Sequence, residues 1–201
     1  TNVINCRRGE INITMELPKI KPNTGRILIS VPFLQDFYFK KSVVLLAEHG
    51  NDGSFGIIIN KPVEVKLSDI ASEFEGFDAP VFLGGPVKTD SLFFIHTRPD
   101  IIDEGIPILE GLYWGGNIDT VKRLIKEGLL SKTEIRFFIG YSGWIADQLD
   151  KELEEKSWVV SLTSPAQVFK SNPSELWAQA LKKLGKEYKF WVVYPPDPSY
   201  N

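Results

Sequence analysis

The stretch "SVVLLAEHGNDGSFGIIIN", residues 42–60, holds two apolar runs around a turn. Val43–Ala47 and Ile57–Ile59 are apolar on successive positions, the pattern of strands buried on both faces. Between them "HGNDG" supplies turn residues, and Asp52-Gly53 suits a positive φ. The stretch predicts a hairpin over residues 43–60, and with it antiparallel pairing.

Upstream, "GRILISVPF" reads as a strand in which Ile27, Ile29 and Val31 alternate with Arg26 and Ser30. Downstream, "LSDIASEF" predicts a short helix capped by Ser68 with Ile70, Ala71 and Phe74 inward. "PVFLGGPV" and "SLFFIH" follow as strands. "NIDTVKRLIKEGLL" predicts a helix with Val121, Leu124 and Ile125 on its apolar stripe and Gly128 as its stop. "EIRFFIG" is a further buried strand. It is expected to end in a tight turn at Gly140–Gly143, with a helix starting directly after on the stripe Ile145, Leu149, Leu153. "SNPSELWAQALKKLG" carries a full set of helix signals: Asn172 as cap, Pro173 in the first turn, Gly185 as stop. "KFWVV" reads as a last strand, and "YPPDPSYN" is neither helix nor inner strand. Strands gather early and helices interleave later, without βαβ alternation. The fold class is α+β with a mostly antiparallel, strongly bent sheet. Residues 1–14 read as a disordered or non-native extension, 15–195 as a single domain and 196–201 as a tail.

The 201 residues are 43% hydrophobic and 24% charged, ordinary for a chain that folds around a real core. Cys6 is the single cysteine, so no internal disulfide is available. No apolar run is long enough to span a membrane and no signal-peptide pattern is visible, so a cytoplasmic location without membrane attachment is expected. The net charge of −3, with basic residues dispersed, argues against direct nucleic-acid binding. The densest basic cluster, Lys182, Lys183, Lys186 and Lys189, also contains Glu187 and reads as a solvated helix end.

Ser142 stands in "GYSGW", which resembles the hydrolase elbow G-x-S-x-G, but Trp144 occupies the fifth place and both histidines precede the serine. No catalytic residue is assigned. Glu48 and His49 are adjacent on a strand and point to opposite faces, so they do not form a dyad. His49 and His96 would need a carboxylate between them to hold a metal, and neither a metal nor a cofactor is expected. Gly115-Gly116 before Asn117 offers a helix N-terminus to an anion, but no phosphate-loop motif is present. The acidic segment 147–156 reads as a solvated face, with partner docking as the alternative.

Taken together, "SVVLLAEHGNDGSFGIIINKPV", "VFLGGPV", "LFFIH", "GGNIDTVKRLI" and "RFFIGYSGWIADQLDKELEEKSW" resemble the YqgE/AlgH family of bacterial proteins over about residues 25–160. The resemblance implies a bifurcated sheet bent into a pseudo-barrel with peripheral helices. One branch of the family has been described as a transcriptional regulator; the resemblance implies no particular reaction. The family commonly carries alanine at the place of Ser142, which fits a turn rather than a nucleophile. Its shared motifs point to Glu48, His49, Asn60, Lys61, Gly84, Gly85, His96, Tyr141, Trp144 and Gln148 as candidate ligand- or partner-binding residues, on strand ends expected to converge on one groove. The function expected is a non-enzymatic binding domain for a protein or a small molecule. The alternative is an enzyme using His49 or His96 as acid or base.

Overall fold

The computed structural model describes residues 3–8, 11–16, 20–185 and 188–193, with the backbone alone for 3–8 and 11–16. β1 (Val3–Arg8) and β2 (Ile11–Glu16) pair antiparallel where the sequence reading expects no strand. Ile11, Ile13 and Met15 alternate with Asn12, Thr14 and Glu16, a period-2 signal only six residues long.

The remaining strands are β3 (Ile27–Ser30), β4 (Val43–Gly50), β5 (Gly53–Ile58), β6 (Pro62–Lys66), β7 (Pro80–Leu83), β8 (Val87–His96), β9 (Ile106–Leu109), β10 (Leu112–Trp114), β11 (Ile135–Ile145) and β12 (Trp158–Ser161). They form one ten-stranded sheet along the path β12-β3-β4-β5-β11-β8-β10-β9, with β6 and β7 branching from it. Every pairing is antiparallel except β7 with β11. The fold is therefore α+β with a mostly antiparallel sheet. The sheet forks and stays open: β12 and β9 end the path without meeting, so it does not close into a barrel.

The expected hairpin is β4-β5, with Gly50 opposite Gly53. Its apolar runs serve two cores at once. Val43, Leu45 and Ile57 enter the main cluster, while Val44, Leu46 and Ile58 face a second cluster with Leu28, Trp144 and Trp158. A third cluster, around Phe74, Val81, Phe94 and Phe137, lies under α1 (Leu67–Ile70) and α2 (Ile118–Lys126). Each buried Leu, Ile or Phe contributes about 1.5–3 kcal/mol, so these continuous runs drive the central strands together.

β11 touches all three clusters, through Phe138, Phe137 and Trp144. It does not stop at Gly140 as the sequence suggests. Its first half pairs with β8 and β7, and Ser142–Ile145 then pair with β5, which carries the strand five residues further. The next helix, α3 (Gln148–Glu154), starts only after Asp147, whose φ of 62° breaks the chain direction. Ile145 is exposed at the end of the strand and is not part of the helix stripe.

Other differences are local. Lys66 rather than Ser68 precedes the single turn of α1, Leu67 is its buried residue, and Ile70 is exposed. Phe74 closes a 3-10 turn over Ser72–Phe74 and is buried as expected. α4 (Pro165–Lys170) lies before α5 (Pro173–Leu184), which Asn172 caps as predicted. "KFWVV" forms α6 (Lys189–Val192) instead of a strand, because Tyr188 and Trp191, three apart, turn to one side and pack ring to ring at 5.2 Å against the main core. The tail beginning at Tyr194 lies outside the described residues.

Candidate functional site

The glycine motifs interlock. After β7, residues Gly84 and Gly85 cross β11 at Gly140 and Ser142 and lead into β8 on its other side. The Gly84 amide donates to the Ile139 carbonyl at 2.8 Å, and the Gly84 carbonyl accepts from the Ile58 amide at 2.8 Å. The buried Ser142 hydroxyl donates to that same carbonyl at 3.0 Å. A Cβ at Gly85 would lie 2.4 Å from the Ser142 Oγ and from the Tyr141 carbonyl oxygen. Gly84, Gly85 and Ser142 thus serve the crossing of two chain segments. Ser142 is not in a turn, does not cap a helix, and its hydroxyl is held away from solvent. Ser142→Ala removes one of two donors to a carbonyl that stays bonded, so a loss of about 1 kcal/mol is expected in urea denaturation.

Asn60 and Lys61 are engaged in the backbone near β4. Asn60 Oδ1 accepts from the Val43 amide at 2.8 Å and its Nδ2 donates to the Lys41 carbonyl at 3.0 Å. Lys61 Nζ donates to the Tyr38 carbonyl at 2.5 Å. Half-burial lowers the Lys61 pKa, against a weaker upward pull from Asp36.

His96 sits at the far end of β8, opposite Ile135 at the start of β11. Trp144 lies nine residues along that strand, beyond the left-handed Gly140 and the register shift after Ile139. Trp144 lines the cleft described below and His96 does not. Nor can His49 and His96 share a metal, since β5 and β11 separate their strands. Among the described residues no group of three or more His, Cys, Asp or Glu is placed to hold a metal ion. His96 is fully buried and stacked on Tyr113 at 5.6 Å. Its Nδ1 accepts from the Arg98 amide at 3.2 Å, and its Nε2 has no hydrogen-bond partner. Burial lowers its pKa from the ordinary 6.5, against a weaker upward pull from Asp100. The folded state therefore binds fewer protons than the unfolded one. The stability that neutral His96 confers is complete above about pH 6.5 and is lost as pH falls through the lowered folded value. Melting midpoints should fall between about pH 7 and about pH 5, and more steeply than in a His96→Gln variant. Equal slopes in the two proteins would refute this.

The other motif residues meet at the opposite end of the sheet. Glu48, Phe55 and Gly143 are cross-strand neighbours on β4, β5 and β11, and so share one face. Tyr141 is next but one on the same face of β11. These residues, with Gly50, Asp52, Val87 and Ile145, line an open cleft of about 450 Å³. Phe55 packs edge-on against Trp114 at 5.3 Å and Tyr141 at 6.0 Å, which fixes an aromatic wall. His49 lies beside the cleft with Nδ1 2.7 Å from the Ser54 hydroxyl.

Behind the cleft, a clamp holds the end of β11. Glu152 Oε2 accepts from the indole nitrogens of Trp144 at 2.9 Å and Trp158 at 2.7 Å, while its Oε1 accepts from Gln148 Nε2 at 3.0 Å. Gln148 Oε1 in turn accepts from the Ile145 amide at 3.1 Å. Sequence reasoning left Glu152 on a solvated face. Its spacing from Gln148 on one helix, with two tryptophans within eight residues, is the signal that could have singled it out.

The Gly115-Gly116 reading also changes. Asn117 Oδ1 accepts from the amides of Asp119 and Thr120, both at 3.1 Å, so the start of α2 is already capped.

Comparison with known proteins adds the lineage. The family described as AlgH-like (DUF179) matches residues 27–189. A UPF0301 protein of Bacteroides thetaiotaomicron is 43% identical over 197 residues, covering 95% of this chain and all of the relative. The solution structure of the AlgH protein from Pseudomonas aeruginosa matches with a TM-score of 0.71 at 25% identity, over 90% of this chain and 98% of that one. A crystal structure of a Corynebacterium diphtheriae protein shares the fold, with a TM-score of 0.73 at 21% identity over 90% and 95% of the two chains. A family match spanning most of the domain and close identity along the full length of a relative place this chain in the AlgH-like family.

Proposed function

We propose that this protein is a cytosolic binding domain rather than an enzyme, and that its ligand site is the cleft at the ends of β4, β5 and β11. The observation that carries the reading is the sorting of the motif residues. Asn60, Lys61, Gly84 and Gly85 are used by the backbone, whereas Glu48, Tyr141 and Gly143 are left facing one concave surface. The enzyme alternative lacks a complete constellation. His49 is 2.7 Å from the Ser54 hydroxyl, but among the described residues no carboxylate is hydrogen-bonded to its ring to orient it. His96 is buried outside the cleft lining with its ring stacked on Tyr113. Among the described residues no helix is long and apolar enough to cross a membrane. A regulatory role, suggested by one branch of the family, would run through a ligand or a protein partner, since the net charge of −3 does not favour a polyanion.

Native mass spectrometry of the full chain purified from its host tests the reading. The wild-type protein is expected to carry a bound mass that a cleft-filling Gly143→Val variant lacks. A mass retained equally by both would place the site elsewhere.

A further inference from the structure

Resting on that reading, we infer that the cleft selects an organic cation, an ammonium or guanidinium group on an apolar stem. Three observations combine. The lining residues include two carboxylates, Glu48 and Asp52, and no lysine or arginine. Both carboxylates are exposed, and neither is hydrogen-bonded or ion-paired among the described residues. The wall is aromatic, and the faces and edges of Phe55 and Tyr141 are fixed by packing against Trp114 and Phe93. A desolvated cation gains both from a ring face and from a carboxylate at the lip, whereas an anion would be repelled and a neutral ligand would use neither.

The glycines of the lining supply the third observation. Gly50 and Gly143 both line the cleft and both have backbone angles open to any residue. A Cβ at Gly50 would meet nothing within 4 Å, and one at Gly143 would make only ordinary contacts, at 3.4 Å to Tyr141 and 3.8 Å to Val87. Neither conformation nor packing requires glycine at these positions, unlike Gly53, where a Cβ would lie 2.4 Å from the Trp144 carbonyl oxygen. What their bareness does provide is room: side chains at these positions would take up space in the cleft. Glycine is otherwise disfavoured within strands, which sharpens the point.

The test is titration of the isotope-labelled full chain, following the amides of Phe55, Gly143 and Ile145. The probes are butylammonium, butanol and butyrate, together with a blocked tripeptide whose central residue is lysine. Butylammonium is expected to move these amides, butanol and butyrate to move them far less. The Glu48→Gln, Asp52→Asn double variant should bind butylammonium at least about tenfold more weakly. Gly143→Val should not bind it while remaining folded at the temperature of the titration, and Gly50→Val provides the same steric block should the first variant be unstable. Tighter binding of the tripeptide than of butylammonium assigns the cation to a basic side chain of a partner; the reverse assigns it to a free amine. Butanol or butyrate acting as strongly as butylammonium would overturn the inference, as would unchanged binding in the double variant or no movement with any probe. None of these removes the cleft itself, which falls only if Gly143→Val keeps the bound mass of the wild-type protein.

Discussion

Gly84→Ala is expected to abolish the stable fold, or to leave a protein melting on the order of 10 °C below the wild type. The backbone of Gly84 is not in the left-handed region, so conformation is not the difficulty. Space is. The added Cβ would lie 2.1 Å from the Gly140 carbonyl oxygen and 3.2 Å from the Phe138 Cβ. The nearest atom belongs to backbone in the middle of β11, at the register shift between Ile139 and Tyr141, where the residues just before it pair with β7 and β8. Relief requires the crossing to open. Opening it stretches the bonds from the Gly84 amide to Ile139 and from the Ile58 amide and Ser142 hydroxyl to the Gly84 carbonyl. Overpacking alone costs roughly 1–3 kcal/mol, and the strained hydrogen bonds raise the total to about 3–5 kcal/mol. In a domain of this size each kcal/mol moves the midpoint by about 2–4 °C. Gly143→Ala, on the same strand, should stay within about 0.5–1 kcal/mol, because its Cβ makes contacts of ordinary length. Thermal and urea melts of the two variants side by side decide the matter; a Gly84→Ala protein melting with the wild type would show that the crossing is not tight.

This contrast also marks how far the sequence could be read. The β4-β5 hairpin was legible because its turn residues and two-sided apolar runs are local signals, complete within residues 43–60. α2 and α5 were legible for the same reason, since periodicity and a nearby stop or cap lie within one segment. The extension of β11 through Ser142–Ile145 was not. Gly140, Ser142 and Gly143 look like turn residues, and only pairing with β5, some ninety residues earlier in the chain, makes them strand. β9 was hidden by Pro107, which an edge strand tolerates, and β10 is just three residues long. The motif residues proposed for one groove were polar for two different reasons. Asn60 satisfies backbone at a loop, whereas Glu48 faces open space, and single-residue chemistry does not separate these uses. Their distribution over the sheet does. His49 and His96 were plausible neighbours so long as their strands were free to pair, and the strand order puts two others between them.

Glu152→Leu is expected to destabilise the protein by about 3 kcal/mol, far more than its position in an acidic helix suggests. Substitution leaves the Trp144 and Trp158 indole N–H groups without their acceptor and frees the Gln148 amide, and both indoles belong to nearly buried rings. Each orphaned donor costs about 1–3 kcal/mol, and leucine returns part of this through apolar contact with the neighbouring rings. Glu152→Gln should fall between, since its carbonyl oxygen can accept from an indole while its amide nitrogen faces the Gln148 donor. Glu154→Gln and Glu155→Gln, on the exposed side of the same helix, should stay within about 0.5 kcal/mol. The effect reaches the cleft because Trp144 anchors the end of β11, where Gly143 and Ile145 form part of the cleft lining. Glu152→Leu should therefore weaken butylammonium binding even at temperatures where the protein remains folded, and should shift the tryptophan emission. A variant that loses stability while binding the probe as tightly as wild type would separate the clamp from the site. One that loses neither would show that the two indoles find other acceptors.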